Sequence, residues 1–233
     1  MNRLRLPVAV AQGMWLRAAM KPARPATGPV SGTVGTSSEP PLRIAVVGDS
    51  TAAGCGVGSH DDGFAGCLAR EITARTTWPV QWQAVGQFGA TARRIRYRLL
   101  PRLGEDLNVA VLLAGGNDVM SRRTPGEWRD DLSAIVAGLT ERADYVVVAG
   151  IPPFALIPAI PASLGHYLSE RAAALDAISR QVCAGCSGAA WVSMTGAPPA
   201  GFFSSDRFHP SAAGYQLWAR AVADHLIPRS HSS

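Results

Sequence analysis

Residues 42–50 read Leu-Arg-Ile-Ala-Val-Val-Gly-Asp-Ser. The run Leu42–Gly48 is apolar at almost every position and rich in β-branched side chains. It predicts a strand buried on both faces, as in a parallel sheet. Its glycine end opens into Asp49-Ser50, so this strand delivers a polar turn at its carboxyl end.

Outward from that strand, the chain alternates. Val80–Val85 reads as a second strand, Asn108–Ala114 (NVAVLLA) as a third, Asp144–Gly150 (DYVVVAG) as a fourth and Ala190–Met194 as a fifth. Residues 62–76 place Phe64, Cys67, Leu68 and Ile72 on one helical face. Ala92–Leu103 reads as a helix with Ile95, Leu99 and Leu103 at fourfold spacing. Pro125–Leu139, residues 166–183 and Ser211–Leu226 complete the helices, and Ile151–Pro161 is a proline-rich loop. Strands joined through helices imply βαβ crossovers. The expected fold is α/β, a three-layer α/β/α sandwich around a five-stranded parallel sheet.

The 233 residues suit one such domain, and with 47% hydrophobic and 17% charged residues the chain is not disordered throughout. No apolar run reaches the length of a membrane span. Residues 1–41 read as an N-terminal arm and a Pro/Gly/Ser-rich linker, 42–228 as the folded domain and 229–233 as a tail. The net charge of +5 is concentrated in the arm, which holds Arg3, Arg5, Arg17, Lys21 and Arg24 against Glu39. The remainder has 17 basic and 16 acidic residues, which argues against nucleic acid as a partner. Residues 1–20 have a basic start and a short apolar stretch. The first reading is a cytoplasmic protein with a trailing arm; secretion or a peripheral membrane contact through that arm is the alternative. Cys55, Cys67, Cys183 and Cys186 read as structural thiols, with disulfides 55–67 or 183–186 as the alternative.

Ligands of open α/β sheets bind beyond the carboxyl ends of the strands. There the sequence places Gly48-Asp49-Ser50, then Gly86-Gln87-Phe88-Gly89-Ala90-Thr91, then Gly115-Gly116-Asn117-Asp118, and finally Asp206-Arg207-Phe208-His209-Pro210. A serine hydroxyl needs a base within reach, which His209 can supply. Asp206 can fix the tautomer of that imidazole. The backbone N–H groups of Ser50 and Gly89 and the side-chain amide of Asn117 can serve as oxyanion donors. Glycine at 89 would let its amide approach a substrate with no Cβ in the way. Asp49 and Asp118 read as turn and capping residues, and His60, His166, His225 and His231 as solvated.

These four blocks, in this order, resemble the SGNH hydrolase family, also called GDSL esterases/lipases. The resemblance spans residues 42–226. It departs from the common pattern at Thr51, where leucine is frequent, and at Gln87, where asparagine is. It implies a flavodoxin-like sandwich with strand order 2-1-3-4-5. It also implies Ser50, Asp206 and His209 as catalytic residues and Ser50, Gly89 and Asn117 as the oxyanion hole. The chain is most similar to the lysophospholipase/thioesterase/arylesterase branch. The expected substrate is therefore a small-molecule acyl ester or thioester; a carbohydrate or cell-wall O-deacetylase with the same residues is the alternative. The apolar loop Ile151–Pro161 offers Phe154 and Ile157 as an acyl-chain wall, or packs on its own core. No metal and no cofactor are called for, since the oxyanion hole replaces a Lewis acid. No block lies in residues 1–40, so their removal is expected to spare the chemistry.

Overall fold

A computed structural model of the chain describes residue 12 and residues 23–193 and 197–227. The sheet has six strands: β1 (Ser31–Val34), β2 (Leu42–Gly48), β3 (Val80–Gly86), β4 (Leu107–Leu113), β5 (Ala143–Ala149) and β6 (Ala189–Val192). They lie in the order β1-β3-β2-β4-β5-β6. From β3 to β6 every pairing is parallel, and the order of these five is the expected one. The end of the fifth expected strand, at Met194, lies outside the described residues, as do the tail 229–233 and His231.

Side-chain alternation along the strands builds two cores. Ala45, Val47, Ala110, Leu112, Val146 and Val148 face one layer. Ile44, Val46, Val111, Leu113, Val147 and Ala149 face the other. This explains why the strands read as continuous apolar runs: neither face meets water, and each buried valine contributes roughly 1.5–3 kcal/mol. The second core is closed by α1 (Phe64–Thr76) and, at the end of the chain, by Ala212–Leu226, with Phe64 and Trp218 in edge contact at 5.1 Å.

The first core is closed by α2 (Ala92–Arg94) with its continuation to Arg102, α3 (Gly116–Met120), α4 (Pro125–Thr140) and α5 (Ala162–Ala184). The helix Ala212–Leu226 is α6. Thr124 and Glu127 form a reciprocal capping box at the start of α4, as residue types at this spacing favour. α5 begins four residues before the expected start, directly after Pro161 at its N-cap. Gln12 of the arm reaches this point, where its Oε1 accepts from the Leu164 N–H at 3.0 Å, one of the free amides of the first turn. The expected helix Ala92–Leu103 changes gauge twice: after Arg94 it is π-wound over Ile95–Leu99, then tightens to a 3-10 turn over Leu100–Arg102. Pro101 has no N–H to donate back into the helix, and the regular ladder cannot pass it.

The sixth strand corrects the expected sheet and the reading of residues 21–41 as a linker. Ser31–Val34 pairs antiparallel with Val80–Gln83, which caps the sheet edge. Upstream, the Ala26 N–H donates to Ala53 O at 3.0 Å, and the Thr27 N–H to Gly58 O at 3.1 Å. This segment therefore braces the loop that carries Ser50. Removing residues 1–40 is not neutral on this structure. The expected cost is on the order of 2 kcal/mol, or roughly 4–8 °C in Tm, together with reduced turnover. A thermal melt and an ester assay of the truncated chain check it. Among the described residues, no helix is long and apolar enough to cross a membrane.

Candidate active site

Strand register brings the blocks together. Gly48 stands level with Gly86 on β3 and with Leu113 on β4, so the turns after these three strands share one edge. The Asp49 N–H donates to Leu113 O at 3.0 Å. Asp49 Oδ1 accepts from the N–H and Oγ1 of Thr51 at 2.9 and 2.8 Å, the turn role expected of it. Burial raises its pKa, against the opposing pull of those two bonds and of nearby His209. The Cys55 N–H closes the turn on Ser50 O at 2.9 Å, and buried Tyr215 of α6 donates to Cys55 O at 2.7 Å. Gly56, at φ +102°, passes directly under the histidine segment; a Cβ there would stand 2.3 Å from Pro210 O and 3.1 Å from His209 Cβ.

His209 reaches Ser50 from the far end of the chain. Its Nε2 lies 3.0 Å from Ser50 Oγ, and its Nδ1 lies 2.7 Å from Asp206 Oδ2. Ser50 is 8% exposed and His209 2%, while the Asp206 side chain is 32% exposed. Burial works against the Asp206 carboxylate. Hydrogen bonds from His209, from the Phe208 and His209 amides and from Ser204 outweigh it, so its pKa lies below the usual carboxylate value. Asp206 is therefore ionised through neutral pH. Arg207, between them, sits in the left-handed region at φ +58°, which costs about 1–2 kcal/mol for a side chain with a Cβ. Three bonds hold it there: its N–H to Ser204 O at 2.9 Å, the Ala159 N–H to its carbonyl at 3.0 Å, and its guanidinium to Pro158 O at 3.3 Å.

Those last two bonds show what the proline-rich loop does. Phe154 and Ile157 are buried, Phe154 to 1%, and pack into the core with Ile160. They do not form an exposed wall, which corrects their reading as acyl-chain contacts. The loop instead supports Arg207. The aromatic groups beside the histidine are Phe88 and Phe208, with ring centroids 6.3 and 5.0 Å from His209. Each is a sequence neighbour of a residue picked out on its own, Gly89 or His209, and that adjacency is the signal that marks them.

The Gly89 turn is held from α3. Asn117 Nδ2 donates to Ala90 O at 3.0 Å, and only a long 3.5 Å contact to Asp49 Oδ2 engages its second proton. The Asp118 carboxylate accepts the Ala92 N–H through both oxygens, at 3.2 and 3.0 Å. Among the described residues, neither the Ser50 nor the Gly89 amide has a hydrogen-bond acceptor. Gly89 lies at φ +72°, with open space where a Cβ would stand. Glycine is thus required there by backbone conformation and not by crowding from the protein.

Asp118 is fully buried, and burial pushes its pKa up to about 7, against the Ala92 bond and the Arg123 guanidinium 3.7 Å away. The native protein holds this proton where the unfolded chain has released it, from the ordinary carboxylate value of 3.8 upward. Stability from this group therefore falls as pH rises from about 4 to 7. Asp118→Asn keeps an acceptor for Ala92 and removes the titration. It is expected to flatten that part of the stability profile, read by urea unfolding across the range.

The remaining candidates separate from the site. All four cysteines are free thiols, so neither the 55–67 nor the 183–186 disulfide is formed. Burial pushes Cys55 up to about 12, and Cys67 and Cys183 up to about 11, which keeps them protonated. His60 is buried, not solvated, and burial lowers its pKa. His166 and His225 are exposed.

A hydroxyl, an imidazole and a carboxylate in line, beside free amides, can move a proton while charge develops on an adjacent oxygen. The chain is 28% identical over 186 residues to the GDSL-like esterase Rv1075c of Mycobacterium tuberculosis (strain ATCC 25618 / H37Rv), which covers 76% of this chain. The chain spans 59% of that relative's length. Its fold resembles that of a lipase/acylhydrolase from Enterococcus faecalis, with TM-score 0.60, 21% identity, and coverage of 81% of this chain and 98% of that one. It likewise resembles TesA, with TM-score 0.60, 23% identity, and coverage of 80% and 98%. At these identities the two structures speak for the fold alone. The model of the GDSL-like lipase/acylhydrolase family matches residues 46–217. The chain thus belongs to the GDSL-like lipase/acylhydrolase family, a family of ester-hydrolysing enzymes.

Proposed function

We propose that the protein is a serine esterase that cleaves small-molecule carboxylic acyl esters or thioesters through an acyl-enzyme. The observation that carries this reading is the pair of contacts Ser50 Oγ–His209 Nε2 at 3.0 Å and His209 Nδ1–Asp206 Oδ2 at 2.7 Å. His209 takes the Ser50 proton as Oγ adds to the acyl carbon. The imidazolium that forms is stabilised by the ionised Asp206. The carbonyl oxygen, now an oxyanion, is received by the Ser50 and Gly89 amides and the Asn117 side chain. Collapse expels the alcohol or thiol, which leaves with the proton from His209. Water, deprotonated by His209, then adds to the acyl-enzyme; collapse breaks the bond to Ser50 Oγ, which takes that proton back from His209 as the acid departs.

Hydrolysis of p-nitrophenyl esters from acetate to palmitate tests this reading. A burst of nitrophenol stoichiometric with enzyme supports the acyl-enzyme, and a medium- or long-chain optimum supports an acyl substrate of that length. An acetate-only profile would favour an O-deacetylase instead. No hydrolysis at any length would contradict the proposal. Within it, Asn117→Ala is expected to lower kcat by roughly 10²–10³ with little change in KM, because the Nδ2 proton that is not held by Ala90 O meets the substrate oxygen only once the oxyanion forms. An unchanged kcat would remove Asn117 from the oxyanion hole.

A further inference from the structure

The segment after the Gly89 turn carries Arg93, Arg94, Arg96, Arg98 and Arg102 with no acidic residue among them. Its apolar side, Ala92, Ile95, Leu99 and Leu103, is buried in the core. Its outer side exposes Arg93, Arg94, Arg98 and Arg102 around Tyr97, which is 56% exposed and has the Arg93 and Arg96 guanidinium groups 5.9 and 4.8 Å from its ring centroid.

Of the five, Arg96 pairs with Asp131 at 3.3 Å and Arg93 lies within electrostatic reach of Glu127. The acids that follow are engaged elsewhere: Glu105 with Arg142 and Asp106 with Arg43. Ordinary solvated helices mix signs, because like charges a turn apart repel. From residue 42 onward the chain has 17 basic and 16 acidic residues. With these five set aside, the rest is four charges negative, so the positive excess of the domain sits on this one helix face.

The face is also beside the chemistry. Ala90 and Ala92 are tied to Asn117 and Asp118, and Phe88, 42% exposed, lies against His209. We propose that the outer face of residues 93–102, with Tyr97 and Phe88, docks the enzyme on an anionic lipid surface and brings esters held there to Ser50. The last clause rests on the esterase reading; the docking does not.

Two features favour a lipid surface over a nucleic acid. The patch runs only about 15 Å along the helix and bears exposed aromatic rings, which suit the headgroup level of a bilayer. A flat surface also touches this face alone, whereas a long polyanion would meet the negative remainder of the domain.

The test uses the full chain and co-sedimentation with vesicles of phosphatidylglycerol and phosphatidylcholine, against vesicles of phosphatidylcholine alone. Binding is expected only to the anionic vesicles and is expected to be lost at about 1 M salt. Arg94→Gln, Arg98→Gln and Arg102→Gln combined should weaken it by on the order of 10²-fold, at about fivefold per arginine. The same triple variant should hydrolyse a dissolved short-chain p-nitrophenyl ester at the wild-type rate, which shows that it is folded and keeps docking separate from catalysis. Wild-type protein that ignores anionic vesicles would overturn the proposal, as would retention on double-stranded DNA without vesicle binding. Unchanged vesicle binding by the triple variant would assign attachment to the N-terminal arm and overturn it too.

Discussion

Replacement of Ser50 by alanine is expected to lower ester turnover by on the order of 10⁴-fold or more, with the fold intact. The hydroxyl has one hydrogen-bonding partner among the described residues, His209 Nε2, and Ser50 lies in a turn closed by backbone bonds that alanine keeps. The turn is braced by Tyr215 and by the bond from Ala26 to Ala53, neither of which touches the side chain. Stability should therefore change by less than about 1 kcal/mol, which is a small shift in Tm for a domain of this size. Substrate binding should also persist, since Oγ adds to the acyl carbon only after the ester is bound. A residual rate within tenfold of wild type would mean that another group attacks the ester.

The second large effect is expected from Asp206→Asn, about 10⁴-fold in kcat at neutral pH. The two oxygens of Asp206 do different things. Oδ1 accepts from Ser204 Oγ, the Phe208 N–H and the His209 N–H, at 2.8, 2.8 and 2.9 Å, and so shapes the loop. Among the described residues, Oδ2 bonds only to His209 Nδ1. Asparagine can keep its carbonyl oxygen on the three loop donors, so the loop should survive. Its amide nitrogen then donates to Nδ1 and forces the imidazole proton onto Nε2, against Ser50 Oγ. The base has lost its lone pair where the nucleophile needs it. A Tm near that of wild type with the rate loss is the expected pair of readings. A rate loss under tenfold would show that Asp206 serves the loop and not the imidazole.

Much of this was legible in the sequence, for physical reasons. Strands buried on both faces have no alternative to continuous apolar runs, so β2, β4 and β5 announce themselves. The blocks after them stand out because a turn that must offer a nucleophile, free amides or a paired imidazole admits few residue types. β1 was not legible. Its four residues, SGTV, sit among Pro, Gly and Ser, and they are held mainly by backbone pairing with β3, with Val34 alone adding an apolar contact to the core, too little to leave an apolar pattern.

The change of gauge in residues 92–102 was hidden because fourfold apolar spacing survives it: Ile95 and Leu99 remain buried. Phe154 and Ile157 were ambiguous because an apolar loop reads alike whether it faces a ligand or the core. The link from Asp118 to Ala92 and the strained Arg207 depend on groups 26 residues apart or on a single dihedral, neither of which leaves a pattern in sequence.

The central claim is that Ser50 is the nucleophile activated by His209. Its most direct test is labelling with a fluorophosphonate, read by intact mass and peptide mapping. A single adduct on Ser50 is expected in the wild type, absent from Ser50→Ala and much slower in Asp206→Asn. An adduct on another residue, or full labelling of Ser50→Ala, would contradict it.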